Sequence, residues 1–201
     1  MHKLFASLIL SALALPLAAQ DGNKVQVFGG YQFLHVGSFD GDGDSAANTS
    51  GWTESTTFKL YKRLGITADF SGNYRSEAIS NSVLSSTPAP AQIRIYTYTF
   101  GPTATLYSHG GVNLFAHGLF GGAHMRPTGC VIFSGSPDEC GSGGYTGFTA
   151  MLGGGVDVKS SPRLAFRAAQ FDWVRLPYQF ASMVSTSQSN FRLSTGVVFR
   201  F

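Results

Sequence analysis

The sequence predicts an all-β protein, an eight-stranded antiparallel transmembrane up-and-down β-barrel, and three observations carry that prediction. Apolar residues recur with period two in segments of about ten residues. Gly, Pro, Ser and Asn separate the segments, in connections that alternate short and long. Only 12% of the 201 residues are charged while 13% are aromatic, with 25 Gly and 17 Phe, a bias that suits strands facing lipid. The length fits a single domain.

The chain opens with an address. His2 and Lys3 precede an apolar run from Leu4 to Leu15, and Pro16 breaks it before Leu17, Ala18 and Ala19. This reads as a secretory signal peptide over residues 1–19, cleaved after Ala19, with the barrel domain over 20–201. The run is too short to cross a bilayer as a helix, and no later stretch approaches the ~20 apolar residues needed. No Cys stands at the cleavage point, so a lipoprotein anchor is not indicated.

Strands are expected to begin near Lys24 and Trp52, then at Leu64, where Leu64, Ile66, Ala68, Phe70 and Tyr74 share one parity. Gly65, Thr67, Asp69, Ser71 and Asn73 share the other, a separation that a helix would not keep. Tyr96, Tyr98, Phe100, Pro102, Ala104 and Leu106 repeat the pattern in the fourth strand, and the fifth begins near Val112. The sixth sets Phe148, Ala150, Leu152, Val156 and Val158 against Thr149, Met151 and Asp157. In the seventh, beginning near Arg163, Leu164 and Phe166 are apolar on even numbers, but Phe171 and Trp173 are apolar on odd ones. A β-bulge near Ala168 and Ala169 is the predicted cause. The eighth alternates most cleanly, with Phe191, Leu193, Thr195, Val197, Phe199 and Phe201 against Arg192, Ser194, Gly196, Val198 and Arg200. Short turns fall at about 62–63, 108–111 and 159–162, on the periplasmic side. Long loops fall at about 37–51, 75–91, 127–144 and 177–189, outside.

Parity also sorts the charges. Lys59, Asp69, His117, Asp157, Arg167, Asp172, Arg192 and Arg200 point inward. Eight strands enclose a space that side chains fill, and buried charges must be paired, so the mixed signs predict an ion-pair network that plugs the lumen. If the lumen stayed open, the same residues would line a narrow pore for small solutes. His117 and Asp69 could belong to a hydrolase triad, but nothing places a Ser beside them, so no catalytic residue and no enzyme activity are expected. No cofactor or metal is implied by the network.

Other features have simpler readings. Cys130 and Cys140 lie close together in a Gly/Ser/Pro-rich stretch of an exported chain, which suggests one disulfide closing a loop, with two free thiols as the alternative. Asp40, Asp42 and Asp44 resemble the start of a calcium loop, but Ser45 and Gly51 occupy positions where Gly and Glu are needed, leaving a solvated acidic loop as the expectation. Trp52, Tyr74, Tyr96, Tyr98, Tyr107, Tyr145, Trp173 and Tyr178 read as interfacial girdle residues. Glu54 shares the outward parity and must sit near the outer rim, where a charge costs little. The net charge of +3 is scattered singly, with no basic run, which argues against nucleic acid as a partner.

Several stretches together resemble one known group. They are Val27–Tyr31, Gly51–Trp52, Gly65–Gly72, Phe100–Pro102, Phe115–His117, Leu119–Ala123, Leu152–Asp157 and Arg192–Gly196 leading to Phe201. The chain from Val25 to Phe201 resembles the OmpA-like outer-membrane β-barrel domains, specifically an acidobacterial porin-like subfamily. The resemblance implies residence in the cell outer membrane, amid its lipid and lipopolysaccharide. It also implies that Phe199 and the terminal Phe201 are read by the outer-membrane insertion machinery. Ending at Phe201, the chain is not expected to carry the peptidoglycan-binding domain that follows some OmpA-type barrels. A structural or surface-interaction role is the leading expectation, with an external partner that the loop composition does not identify. A narrow porin and a lipid-modifying enzyme are the alternatives. Alternation alone does not say which face is inward, so a soluble ligand-binding barrel shares the pattern. The signal peptide, the Gly-rich inner parity and Phe201 decide for the membrane.

Overall fold

The computed structural model describes residues 24–36, 47–79, 89–131, 139–142, 144–180 and 184–201. The expected signal peptide and the Asp40–Asp44 segment lie outside the described residues.

Nine strands follow in chain order: β1 (Val25–Val36), β2 (Ala47–Tyr61), β3 (Leu64–Ile79), β4 (Ala89–His109), β5 (Val112–Val131), β6 (Glu139–Ser142), β7 (Tyr145–Lys159), β8 (Leu164–Phe180) and β9 (Val184–Arg200). The sheet order is β4-β3-β2-β1-β9-β8-β7-β5-β6, and β4 also pairs with β5, which closes the sheet on itself. Every pairing is antiparallel. Because β6 pairs only with the tip of β5 and runs almost directly into β7, the wall is eight strands round. Val25 and Phe201 exchange backbone hydrogen bonds of 3.0 and 2.8 Å, so the closing ladder reaches the last residue.

The tight connections lie at one end. Gly110 and Gly111 have φ of +60° and +84°, as a two-residue type I′ hairpin turn requires and as only Gly adopts freely. At the third short turn the Ser161 hydroxyl accepts from the Leu164 amide at 3.1 Å. At the other end the ladders run farther than the hydrophobic pattern suggests. Arg75–Ile79 pairs with Ala89–Ile93, and Pro177–Phe180 pairs with Val184–Ser187, so much of what reads as long loop is paired hairpin. The alternation stops there because strands that leave the bilayer meet water on both faces.

The bulge in β8 is present. Arg167 faces Gly196 and Gln170 faces Ser194, so Ala168 and Ala169 together oppose Thr195, whose hydroxyl donates to the Arg167 carbonyl at 2.9 Å. Ladder register on the β7 side shifts at the same place. Arg167 is buried before it and Gln170 and Asp172 after it.

Outside, the barrel is apolar. Phe100, Phe148, Phe171 and Phe191 are each more than 60% exposed, and large hydrophobic side chains cover every strand of the wall. Such a surface is stable only against hydrocarbon, and among the described residues no helix is long and apolar enough to span a membrane. Toward the hairpin end the Trp52 indole donates to the Tyr74 hydroxyl at 3.3 Å, and Tyr74 meets Tyr96 edge to face at 5.9 Å, giving part of the expected girdle. Tyr145 is an exception. It turns inward, donates to Met125 Sδ at 3.1 Å and packs on the lumen core, as its odd number in β7 requires. Tyr178 lies where only the backbone is described. Glu54 faces outward one lipid-side step from Trp52, between Gly29 and Phe70.

Candidate functional site

The lumen is built in three layers. Nearest the long hairpins, Leu34, Ile95, Leu119, Ala123, Met125, Met151, Val174 and Leu176 form one buried cluster, none more than 6% exposed. Their presence corrects the expectation of a lumen plugged by polar side chains alone. The signal was available, since Met151 and Val174 have the inward parity of their strands, but apolar neighbours on the outward face, Leu152 and Trp173 among them, masked it.

Below this cluster lies the ionic layer. Arg192 of β9 is 2% exposed and reaches across the barrel, donating from Nη1 to Asp69 Oδ1 of β3 at 2.9 Å and from Nη2 to Asp69 Oδ2 at 3.3 Å. Its Nε donates to Asp172 Oδ2 of β8 at 2.8 Å, and Nη1 also meets Gln32 Oε1 at 3.4 Å. His117 Nε2 stands 2.8 Å from the other Asp172 oxygen. His117 therefore pairs with Asp172 and not with Asp69, so the triad considered from sequence is not assembled. Gly153 makes room for this contact: a Cβ there would sit 2.2 Å from Asp172 Oδ1.

Gln170 joins this layer to the next, donating to Asp172 Oδ2 at 2.8 Å while accepting from Arg167 Nη1 at 2.6 Å. Arg167 also forks onto Asp157 at 2.8 and 3.3 Å. Its guanidinium lies between the rings of Phe28 and Phe115, 4.2 and 4.3 Å from their centroids. Planar stacking with a bidentate carboxylate is a geometry that Arg satisfies and Lys does not. Arg200 Nη2 comes no nearer to Asp157 than 4.0 Å, and the ammonium of Lys59, half-buried, has no hydrogen bond or ion pair among the described residues.

A narrow vestibule of about 20 Å³, room for about one water, opens at the end near the tight turns. Thr67 bridges Thr57 at 2.7 Å and Thr103 at 2.6 Å along its wall, and Lys59, Lys62 and Arg63 stand toward the turns. Of the eight inward residues expected from parity, six are thus bound into one network, while Arg200 and Lys59 stand at its margin. Among the described residues no three His, Cys, Asp or Glu side chains converge as metal ligands would. Cys130 lies directly opposite Cys140 in the β5–β6 register, where the backbone alone is described.

No protein-family model matches the chain, and no curated protein does. Similarity emerges in three dimensions. Neisserial surface protein A superposes with a TM-score of 0.62 at 14% identity, over 90% of this chain and all of the other. Ail, the attachment invasion locus protein of Yersinia pestis, gives 0.61 at 16% identity over the same shares. OprG of Pseudomonas aeruginosa gives 0.54 at 10%, over 90% of this chain and 98% of its own. Taken with the apolar exterior, the closed antiparallel wall is that of an eight-stranded outer-membrane β-barrel.

Proposed function

We propose that this protein is a non-conducting, non-catalytic barrel of the outer membrane that serves as a rigid base for surface interaction, presenting paired hairpins to an external partner. One observation carries the reading: the lumen is crossed by an apolar layer backed by the Arg192 network, so that an ion would have to shed its water to pass. Single-channel recording of the refolded protein in a planar bilayer tests it. A silent membrane is expected; steady openings would replace this reading with a narrow porin.

The same proposal covers the surroundings. Export by the 1–19 signal peptide, recognition of Phe199 and Phe201 by the insertion machinery and membership of an OmpA-like, acidobacterial porin-like group are parts of it. Lipopolysaccharide is the proposed neighbour in the outer leaflet. Arg94 and Arg126 are exposed and directly opposed across β4 and β5, one step beyond Tyr96. Like charges so placed repel unless an anion lies between them, and lipid phosphate is the anion at that level. A disulfide between Cys130 and Cys140 fits their register, because directly opposed residues of an antiparallel pair stand about 4.5–5.5 Å apart at Cα, within the range a disulfide spans. Iodoacetamide should label both cysteines only after reduction.

A further inference from the structure

The outward face of the β4–β5 ladder is ordered like an amphiphile. Its directly opposed pairs, read from the hairpin end toward the membrane, are Arg94 with Arg126, Tyr96 with His124, Tyr98 with Gly122 and Phe100 with Phe120. The first pair is exposed cation, the second sets a phenol beside an imidazole, and the last is exposed hydrocarbon. Gly122 lets the Tyr98 ring lie flat against the wall, since a Cβ there would collide with it. Beside this column an open cleft of about 320 Å³ is lined by Tyr74, Arg75, Gln92, Ile93 and Arg94, with Arg94 Nη2 donating to Gln92 Oε1 at 3.2 Å. Of the carboxylates whose side chains are described, Asp69, Asp157 and Asp172 face the lumen and Glu54 lies on β2, outside the column.

Two opposed guanidinium groups suit an oxyanion that accepts from both, and the apolar column directly below them suits one that carries acyl chains. A free anion would leave that column idle, and a glycerophospholipid has no sugar ring for the polar cleft beside Arg94. The column also offers no carboxylate to share a divalent cation with a phosphate, so the arginines neutralise it themselves. We propose that this face binds one phosphorylated glycolipid of the outer leaflet, with Arg94 and Arg126 standing in for a divalent cation on its sugar phosphate. The cleft receives the sugar, and the acyl chains follow Tyr98, Phe100 and Phe120. Such a site rests on the orientation proposed above, with the hairpins outside and lipopolysaccharide as the neighbour, and adds the place, the number and the cation independence of the contact.

The test is native mass spectrometry of the full barrel, folded in a neutral maltoside detergent with a chelator present throughout. The probes are diphosphoryl lipid A, dephosphorylated lipid A, inorganic phosphate and dioleoyl phosphatidylglycerol. The variants are Arg94→Gln, Arg126→Gln and, as an equal loss of charge at the tight-turn end, Lys62→Gln, each admitted only if its electrophoretic mobility still shifts on heating as a closed barrel's does. One diphosphoryl lipid A per barrel is expected, bound about tenfold or more weakly by either arginine variant and unchanged in Lys62→Gln. The proposal is overturned if the folded wild type retains no lipid A under chelation, if the arginine variants bind like the wild type, or if all three variants lose binding alike. It is also overturned if any of the other three probes binds as tightly, since phosphate, sugar or acyl chain would then be dispensable. Conductance recorded on the same preparation separates the two readings: a silent membrane without lipid A binding removes the site alone, and steady openings with one lipid bound remove the non-conducting barrel alone.

Discussion

The external half of the lumen excludes water with eight packed apolar side chains, whereas the periplasmic half pairs charge with charge and then opens. The outer layer behaves like the core of a soluble protein turned into a stopper, and its strength lies in close packing. The inner layer takes its strength from complete pairing, and fails where pairing runs out at Arg200 and Lys59. A barrel this narrow can be blocked by either means. The protein uses both in series, and the two respond to different perturbations.

The largest effect should come from breaking the ionic layer at its centre. Arg192→Met leaves Asp69 and Asp172 buried without their cation and should cost about 3–5 kcal/mol in urea unfolding from detergent. Removing the carboxylates as well, in Arg192→Met with Asp69→Leu and Asp172→Leu, should restore most of the loss. A single-variant cost below about 1 kcal/mol would mean that water reaches the carboxylates, as at a surface pair. Next comes the apolar layer: Leu119→Ala should cost about 2–4 kcal/mol and leave a cavity, with no rescue by any charge change. If Leu119→Ala were instead nearly neutral, the two halves would not differ in the way the structure implies.

These two layers were unequally legible from sequence. The charges stood out because carboxylates and guanidinium groups on the Gly- and Thr-rich parity point inward, whether they pair as a network or line a pore. The β8 bulge was legible for the same reason, since the polar residues change parity between Arg167 and Gln170. The partners were not legible. His117 binds Asp172, 55 residues away, because the β5–β7 and β7–β8 registers set the two on either side of Gly153, and no local pattern records that. The apolar stopper was hidden by a different cause. When both faces of a strand are apolar in its external half, alternation vanishes where it would be most informative. Tyr145 was assigned to the girdle by its place near a strand end, although its parity already pointed inward.

Smaller effects sharpen the comparison. Phe115→Leu removes one of the two rings that sandwich Arg167 and should cost about 1 kcal/mol, measured against an Asp157→Asn background to separate stacking from ion pairing. Glu54→Leu acts on the lipid face and not in the lumen. It should stabilise the barrel by less than about 1 kcal/mol, because a carboxylate one step from the Trp52 girdle sits close to the interface. A larger gain would place Glu54 deeper in the hydrocarbon than the girdle suggests.

The extra residue in β8 works like a frameshift. Upstream of Ala168 the odd numbers of that strand read inward, and downstream the even numbers do. Deleting one alanine would remove the bulge and restore plain alternation, leaving Gln170 and Asp172 in the lumen; deleting Phe171 would instead exchange the two audiences of the rest of the strand. Asp172 would be offered to the hydrocarbon and Trp173 to the lumen, and Arg192 would lose a partner without itself being altered. For such a wall the unit of tolerated change in length is two residues, and a lone insertion survives only where the ladder, as here, can hold it as a bulge.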